Sequence, residues 1–182
     1  MRSPHLLAAG CVTDNPDAAY RAAESAVWDE VAQSLIDYPG AWTSPEEGAM
    51  VLFEEVDELW DEVRRNHIGL ARREAAQVGA MAVRFIADIC GPRSAQSSKR
   101  LCRAGAARQR DLRHAGIGPA RAFNSSHEAA GFLRRAYDAL WAAVCSDADT
   151  AQLGELAARV AALAVRFIAE ITTDAPIVRA VR

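Results

Sequence analysis

The sequence predicts an all-α protein, two tandem helical units of about six helices in total packed as a pseudo-two-fold bundle. Three observations predict it. A long segment, Ser44 to Ile89, recurs in altered form as Ser125 to Ile171. Within both copies apolar residues return at i, i+3 and i+4, the spacing of one helix face. The alternation of β-branched and polar residues that marks strands is absent, and Ala, Leu, Glu and Arg dominate.

The elements follow in order. Asp17 to Asp37 carries Ala23, Ala26, Val27, Val31 and Leu35 at helical spacing and stops before Tyr38-Pro39-Gly40. Ser44 and Pro45 then read as N-cap and first helical residue, and Glu46 and Glu47 in the first turn complement the helix dipole. Ala49, Leu52, Phe53, Val56, Trp60 and Val63 form the stripe of that helix, which should stop near Asn66, where His67-Ile68-Gly69 breaks the pattern. Ala71, Ala75, Val78, Ala82, Phe85, Ile86 and Ile89 give the next helix, ending before Gly91-Pro92. Ser97 to His114 is a weaker, Arg-rich helix ending at Gly116-Ile117-Gly118-Pro119.

The second hairpin repeats the first. SPEEGAMVLFEEVDELWDEV has its counterpart in SSHEAAGFLRRAYDALWAAV, with Trp60 matching Trp141 and Asp57 matching Asp138. The run Ala82 to Ala87 (AVRFIA) returns at Ala164 to Ala169, one residue further on, so one extra residue falls in the loop between the helices, where insertions are tolerated. Residues 1–91 make the first unit, 92–99 a linker and 100–182 the second unit.

Composition excludes several classes. The apolar share of 51% and charged share of 25% are those of a globular chain and argue against disorder. No window approaches a membrane span, and Met1 to Cys11 has too short an apolar run for a secretory signal, so a cytoplasmic protein that does not engage membranes is expected. A net charge of −3 gives no field favouring nucleic acid. Cys11, Cys90, Cys102 and Cys145 show no C-x-x-C or zinc spacing and read as ordinary thiols. There is no Gly-rich phosphate loop and no G-x-S-x-G elbow.

The chemistry-bearing feature is acidic. Glu54, Glu55 and Glu58 stand at i, i+1 and i+4, Glu62 extends their face, and Glu74 lies on the next helix at the border of its apolar stripe. Carboxylates converging in a hairpin repel one another and resist desolvation unless a cation or a set of donors balances them, and a hard divalent cation takes oxygen ligands. The bland alternative is a solvated acidic face.

The second unit is an internal control. It has Arg135, Ala136, Ala139 and Ala143 in place of Glu54, Glu55, Glu58 and Glu62, and Leu156 or Glu155 in place of Glu74, depending on where the extra residue sits. The acids vanish together while Leu59-Trp60, Asp57 and the AVRFIA run persist. Loss as a group is what a shared task predicts and what a solvated face does not.

Glu54-Glu55-x-x-Glu58, followed after fifteen residues by Glu74, resembles the E-E-x-x-E and E-x-x-D motif of the all-α nucleoside triphosphate pyrophosphohydrolases, the MazG-like family. The resemblance covers Ser44 to Ile89, with a degenerate echo in Ser125 to Ile171. It implies a Mg²⁺-dependent enzyme, with Mn²⁺ able to take the place of Mg²⁺. Such an enzyme uses water to cleave a (deoxy)nucleoside triphosphate or related nucleotide to the monophosphate and pyrophosphate. It also implies Glu55, Glu58 and Glu74 as metal ligands and Glu54 as a further ligand or the catalytic base orienting water. Gln77 falls where the motif has its final Asp, and its amide oxygen is a weaker, uncharged ligand. Family members assemble, so the second unit could serve as a built-in neighbour, and a homodimer is a further expectation.

The rival is a catalytically inactive helical module that binds a nucleotide or protein partner, favoured by Gln77 and the degenerate unit. A di-iron bundle is disfavoured because no Glu-x-x-His occurs. Arg84 and Arg166, each four residues before an acid (Asp88, Glu170), are expected in surface ion pairs. The arginines from Arg100 to Arg113 are expected on a solvated face. Trp60, Trp141, Phe85 and Phe167 are expected in the core, and for Trp28 and Trp42, without Trp counterparts, core packing is expected ahead of the alternative of stacking on a base. His5, His67, His114 and His127 are assigned no chemistry.

Overall fold

The computed structural model describes residues 16–92 and 98–172. Its described elements are α-helices: α1 (Pro16–Asp37), α2 (Pro45–Arg64), α3 (Ile68–Ile89), α4 (Ser98–His114), α5 (Ser126–Cys145) and α6 (Thr150–Glu170). The all-α class and every expected helix are therefore present. Cys11 and His5 lie outside the described residues, as do residues 93–97 of the expected linker.

Both hairpins begin in the same way. Ser44 accepts a bond from the Glu47 amide (3.2 Å) while Glu47 Oε2 accepts from the Thr43 amide (2.8 Å), a capping box that satisfies two donors the helix leaves unpaired. Ser125 and Glu128 repeat it, with Oε2 of Glu128 accepting from the Asn124 amide at 2.7 Å. The turns into the third and sixth helices contain Asn66 (φ 58°) and Asp147 (φ 52°), residue types that tolerate the left-handed region. The following N-caps are His67 and Asp149, so the extra residue of the second unit is Ala148. That places Leu156, not Glu155, opposite Glu74, and Arg159 opposite Gln77.

The core is one contiguous cluster shared by the units, with Phe85 and Phe167 fully buried at its centre. α3 and α6 pack against each other through it. Around them the pairings exchange with the halves: α2 packs on α3 as α5 on α6, α1 on α3 as α4 on α6, α1 on α6 as α4 on α3, and α2 meets α5. Small residues permit the approach. A Cβ on Gly79 would stand 2.7 Å from Val27 and 3.5 Å from the Ala164 methyl, so α1 and α6 close on α3 where no side chain intervenes. The Tyr137 hydroxyl, donating to the Ala49 carbonyl at 3.1 Å, ties α5 to α2 inside the core.

Arg84 and Arg166 depart from expectation in burial. Their pairs with Asp88 (3.7 Å) and Glu170 (2.7 Å) exist, but the arginine side chains are only 2% and 8% exposed. The reason is that each guanidinium gathers carbonyls of the segment that leads into its hairpin, for Arg84 the last turn of α1 and the loop after it. Arg84 donates to Ser34, Tyr38 and Gly40, and Arg166 to Ile117, Pro119 and Arg121. The acids complete the clamp: Asp88 accepts from the Trp42 amide at 3.4 Å and Glu170 from the Phe123 amide at 2.9 Å. The arginines also stack, Arg84 on Trp42 and Arg166 on Phe123. Trp42 thus does have a counterpart, an aromatic of another type.

Trp60 is corrected as well. It is 40% exposed, edge-on to His127 at 5.7 Å, because Leu59 takes the buried position beside it. Trp141 is half-buried against the core. Among the α4 arginines, Arg108 pairs with Glu155, Arg110 and Arg113 with Glu24, and Arg103 lies over the Trp28 ring, so much of that face is tied to neighbouring helices.

Candidate metal centre

The acidic cluster forms where α2 and α3 run side by side. Glu55 and Glu58 project from adjacent turns of α2, and Glu74 meets them from the second turn of α3. One carboxylate oxygen from each lies within 4.8 Å of the other two. The three oxygens named as candidate ligands from the motif therefore do gather between neighbouring helices.

Their environment differs from that of a solvated face. Glu55 is half-buried, and its Oε2 is enclosed with no hydrogen-bond partner. A buried carboxylate oxygen without a donor is costly. Burial, and then the charges of Glu58, Glu74, Glu54 and Glu30, push the Glu55 carboxyl up to about 7. Glu74 is also raised, by burial first and then by Glu58, against the lowering effect of Arg73.

The donor set fits a hard divalent cation. Two oxygens bound to one Mg²⁺ at about 2.1 Å stand roughly 3–4 Å apart, so oxygens within reach of one another at this site need only small side-chain rotations. A cation there would satisfy the orphaned oxygen of Glu55 and offset the repulsion that raises its pKa.

The other candidates sit around this centre. Gln77, one turn beyond Glu74 on α3, donates its amide nitrogen to Glu74 Oε2 at 2.5 Å, and so orients that carboxylate. Glu54 is exposed on the outer flank of α2, outside the three-oxygen group, though near enough for its charge to act on Glu55. Glu62 is engaged elsewhere: it accepts from Arg65 at 2.9 Å and pairs with His67 at 2.8 Å, closing the end of α2, and these partners hold its carboxyl below the usual range.

Glu30 of α1 is the residue that sequence reasoning missed. Its charge raises both Glu55 and Glu74, which places a fourth carboxylate on a third helix beside the cluster. The signal was slight, a single acid next to Val31 on a helix outside the recognised repeat. Comparison with protein-family models, with curated proteins and with solved structures gives no match for this chain.

Proposed function

We propose that the chain is a divalent-cation-dependent nucleotide pyrophosphohydrolase of the MazG-like kind, acting on a (deoxy)nucleoside triphosphate or related nucleotide. One observation carries the reading: carboxylate oxygens of Glu55, Glu58 and Glu74, on two helices, lie within 4.8 Å of one another, and Oε2 of Glu55 is enclosed with no protein donor. The second unit supports it, since the same scaffold without the acids has Ala136, Ala139 and Leu156 at those places, so the fold itself does not require them.

Glu55, Glu58 and Glu74 would hold Mg²⁺ or Mn²⁺, with Gln77 fixing the rotamer of Glu74 through its amide. The bound cation would supply neutralisation of phosphate charge and a polarised water. Glu54, exposed beside Glu55, is the residue free to take a proton from an attacking water as general base. Glu55 and Glu74 are half-buried while Glu58 is exposed, so the site would pair a partly dry inner side, which strengthens electrostatic control of a phosphoanhydride, with an open side for substrate. Among the described residues no helix is long and apolar enough to cross a membrane, and Cys90, Cys102 and Cys145 are unpaired. Both accord with a cytoplasmic nucleotide enzyme.

A panel of nucleoside triphosphates incubated with the chain and Mg²⁺, assayed for pyrophosphate, tests the proposal. Release that disappears in E58Q is the expected result, and no release from any nucleotide overturns it. The second reading, a nucleotide-binding module without turnover, is favoured by the neutral Gln77 at the motif's last acidic place. Calorimetry that records tight, metal-dependent nucleotide binding with no product would select it.

A further inference from the structure

A cavity of ligand size lies away from the acidic cluster. It is a cleft of about 590 Å³ in the second unit, between α4, α5, α6 and the α4–α5 loop. That volume is in the range of small-molecule sites. Its place is the counterpart of the acidic cluster: Arg135, Ala136 and Ala139 of its wall stand at the positions of Glu54, Glu55 and Glu58, and Arg159 at that of Gln77. The hairpin caps and the two buried arginine clamps fix this register at both ends of α3 and α6.

The exchange does two things. Ala in place of two Glu side chains opens space on α5. Charge reverses too: carboxylates at 54, 55, 58 and 74 give way to Arg135, two alanines and Leu156, and Arg159 adds a second cation. No carboxylate lines the cleft.

The arginines nearby behave differently from these two. Arg108, Arg121, Arg134 and Arg166 each pair with an acid. Arg135 lies over the Phe132 ring at 4.8 Å, and neither it nor Arg159 forms an ion pair among the described residues. Arg21, Arg72, Arg73 and Arg103 elsewhere also stand outside the ion pairs, so an unpaired arginine is not by itself a sign of a site. What distinguishes Arg135 and Arg159 is that both line one cleft whose wall carries no carboxylate. A ligand that brings its own negative charge fits that wall.

We propose that this cleft is a second ligand site, binding a nucleoside phosphate without a metal ion. Arg135 and Arg159 would take the phosphate, since guanidinium groups match phosphate oxygens in geometry and charge. Phe132, Ile117 and Leu163 of the wall offer the apolar surface a base requires. The proposal does not rest on hydrolysis at the first unit. A site of this kind would let the second unit sense a nucleotide while the first acts on one.

The test is calorimetric titration of the full chain in EDTA with two probes, pyrophosphate and adenosine diphosphate. Without a cation the acidic cluster repels both, so binding reports the basic cleft. One saturable site is expected, tighter for the nucleotide than for pyrophosphate, and weakened roughly 10- to 100-fold by R135A or R159A. A139E, which returns a carboxylate to the cleft, should abolish it. Both arginines and Ala139 are exposed, and circular dichroism checks that the variants fold. Absence of saturable binding, or binding that persists in the arginine variants, overturns the site. Loss of binding in E58Q instead would assign the ligand to the first unit and overturn it as well. Equal affinity for the two probes overturns the nucleoside part. Failure of pyrophosphate release with metal, alongside binding in EDTA, would remove the hydrolase reading and leave this one standing.

Discussion

Replacing Glu55 by Gln should make the metal-free protein more stable at pH 8 than the wild type. The carboxyl is raised from 4.5 to about 7 by burial and by neighbouring acids. An acid whose pKa is higher when folded binds more protons in the native than in the unfolded state between those two values. Stability must then fall as pH rises through that window and level off above about 7. One unit is worth about 1.4 kcal/mol, which sets an upper bound near 3 kcal/mol. The carboxyl is half-exposed, and solvent screening brings the effect to roughly 1–2 kcal/mol. Gln keeps the volume and removes the charge, so the difference in unfolding free energy between E55Q and wild type should grow by that amount from pH 5 to pH 8. Urea unfolding in EDTA measures it, and taking the difference cancels groups unaffected by the change. Saturating Mg²⁺ should reverse the order, stabilising wild type through binding to the native state and leaving E55Q unmoved. A difference that is flat with pH, or an E55Q protein less stable than wild type at pH 8 without metal, would refute the account of a strained, cation-ready cluster.

Other consequences can be measured directly. Cation affinity should rise several-fold from pH 6 to pH 8, because Glu55 must lose its proton to coordinate, and Mn²⁺ titration followed by electron paramagnetic resonance would show it. R84A should cost about 3–5 kcal/mol in urea unfolding, since it strands the Asp88 carboxylate and three carbonyls, of Ser34 in α1 and of Tyr38 and Gly40 in the loop. G79A should cost about 1–3 kcal/mol by forcing a methyl to within 2.7 Å of Val27. G131A, at an exposed position of α5 where a Cβ meets nothing within 4 Å, should stabilise by about 0.5–1 kcal/mol, and thermal melts of the pair would show opposite signs.

The helices were legible because their signals are local. Ser44-Pro45, the stripe from Ala49 to Val63 and the break at His67 each report on a few adjacent residues, and the observed limits fall within about two residues of them. The buried arginine clamps were not legible, because their partners are carbonyls some 45 residues away in loops that carry no distinguishing side chains. Arg84 and Asp88 at i, i+4 look identical whether solvated or enclosed, and only the packing of α1 over α3 decides. Trp60 failed for a related reason: helical spacing marks a stripe, and which of two neighbours at its edge, Leu59 or Trp60, faces inward depends on where α5 lies.

The acidic site was readable for a different reason, which also explains what was missed. Spacing on one helix puts Glu55 and Glu58 together by geometry alone, and the duplication shows that these positions change as a set. Glu30 escaped because α1 and α4 lack recognisable similarity, so no control exists for it. The same comparison, extended to the second unit, turns an apparent loss into a substitution of one electrostatic design by its opposite. Loss alone predicts small neutral residues at all the former acid positions. Arg135 at the place of Glu54, joined in one cleft by Arg159 at the place of Gln77 and with no acidic partner for either among the described residues, is more than loss requires. The cleft carries positive charge where the other hairpin carries negative, and an anion balances the first as a cation balances the second. On that argument the halves are complementary, one built to hold positive charge and the other negative, and a phosphorylated nucleotide is the class of ligand that engages both.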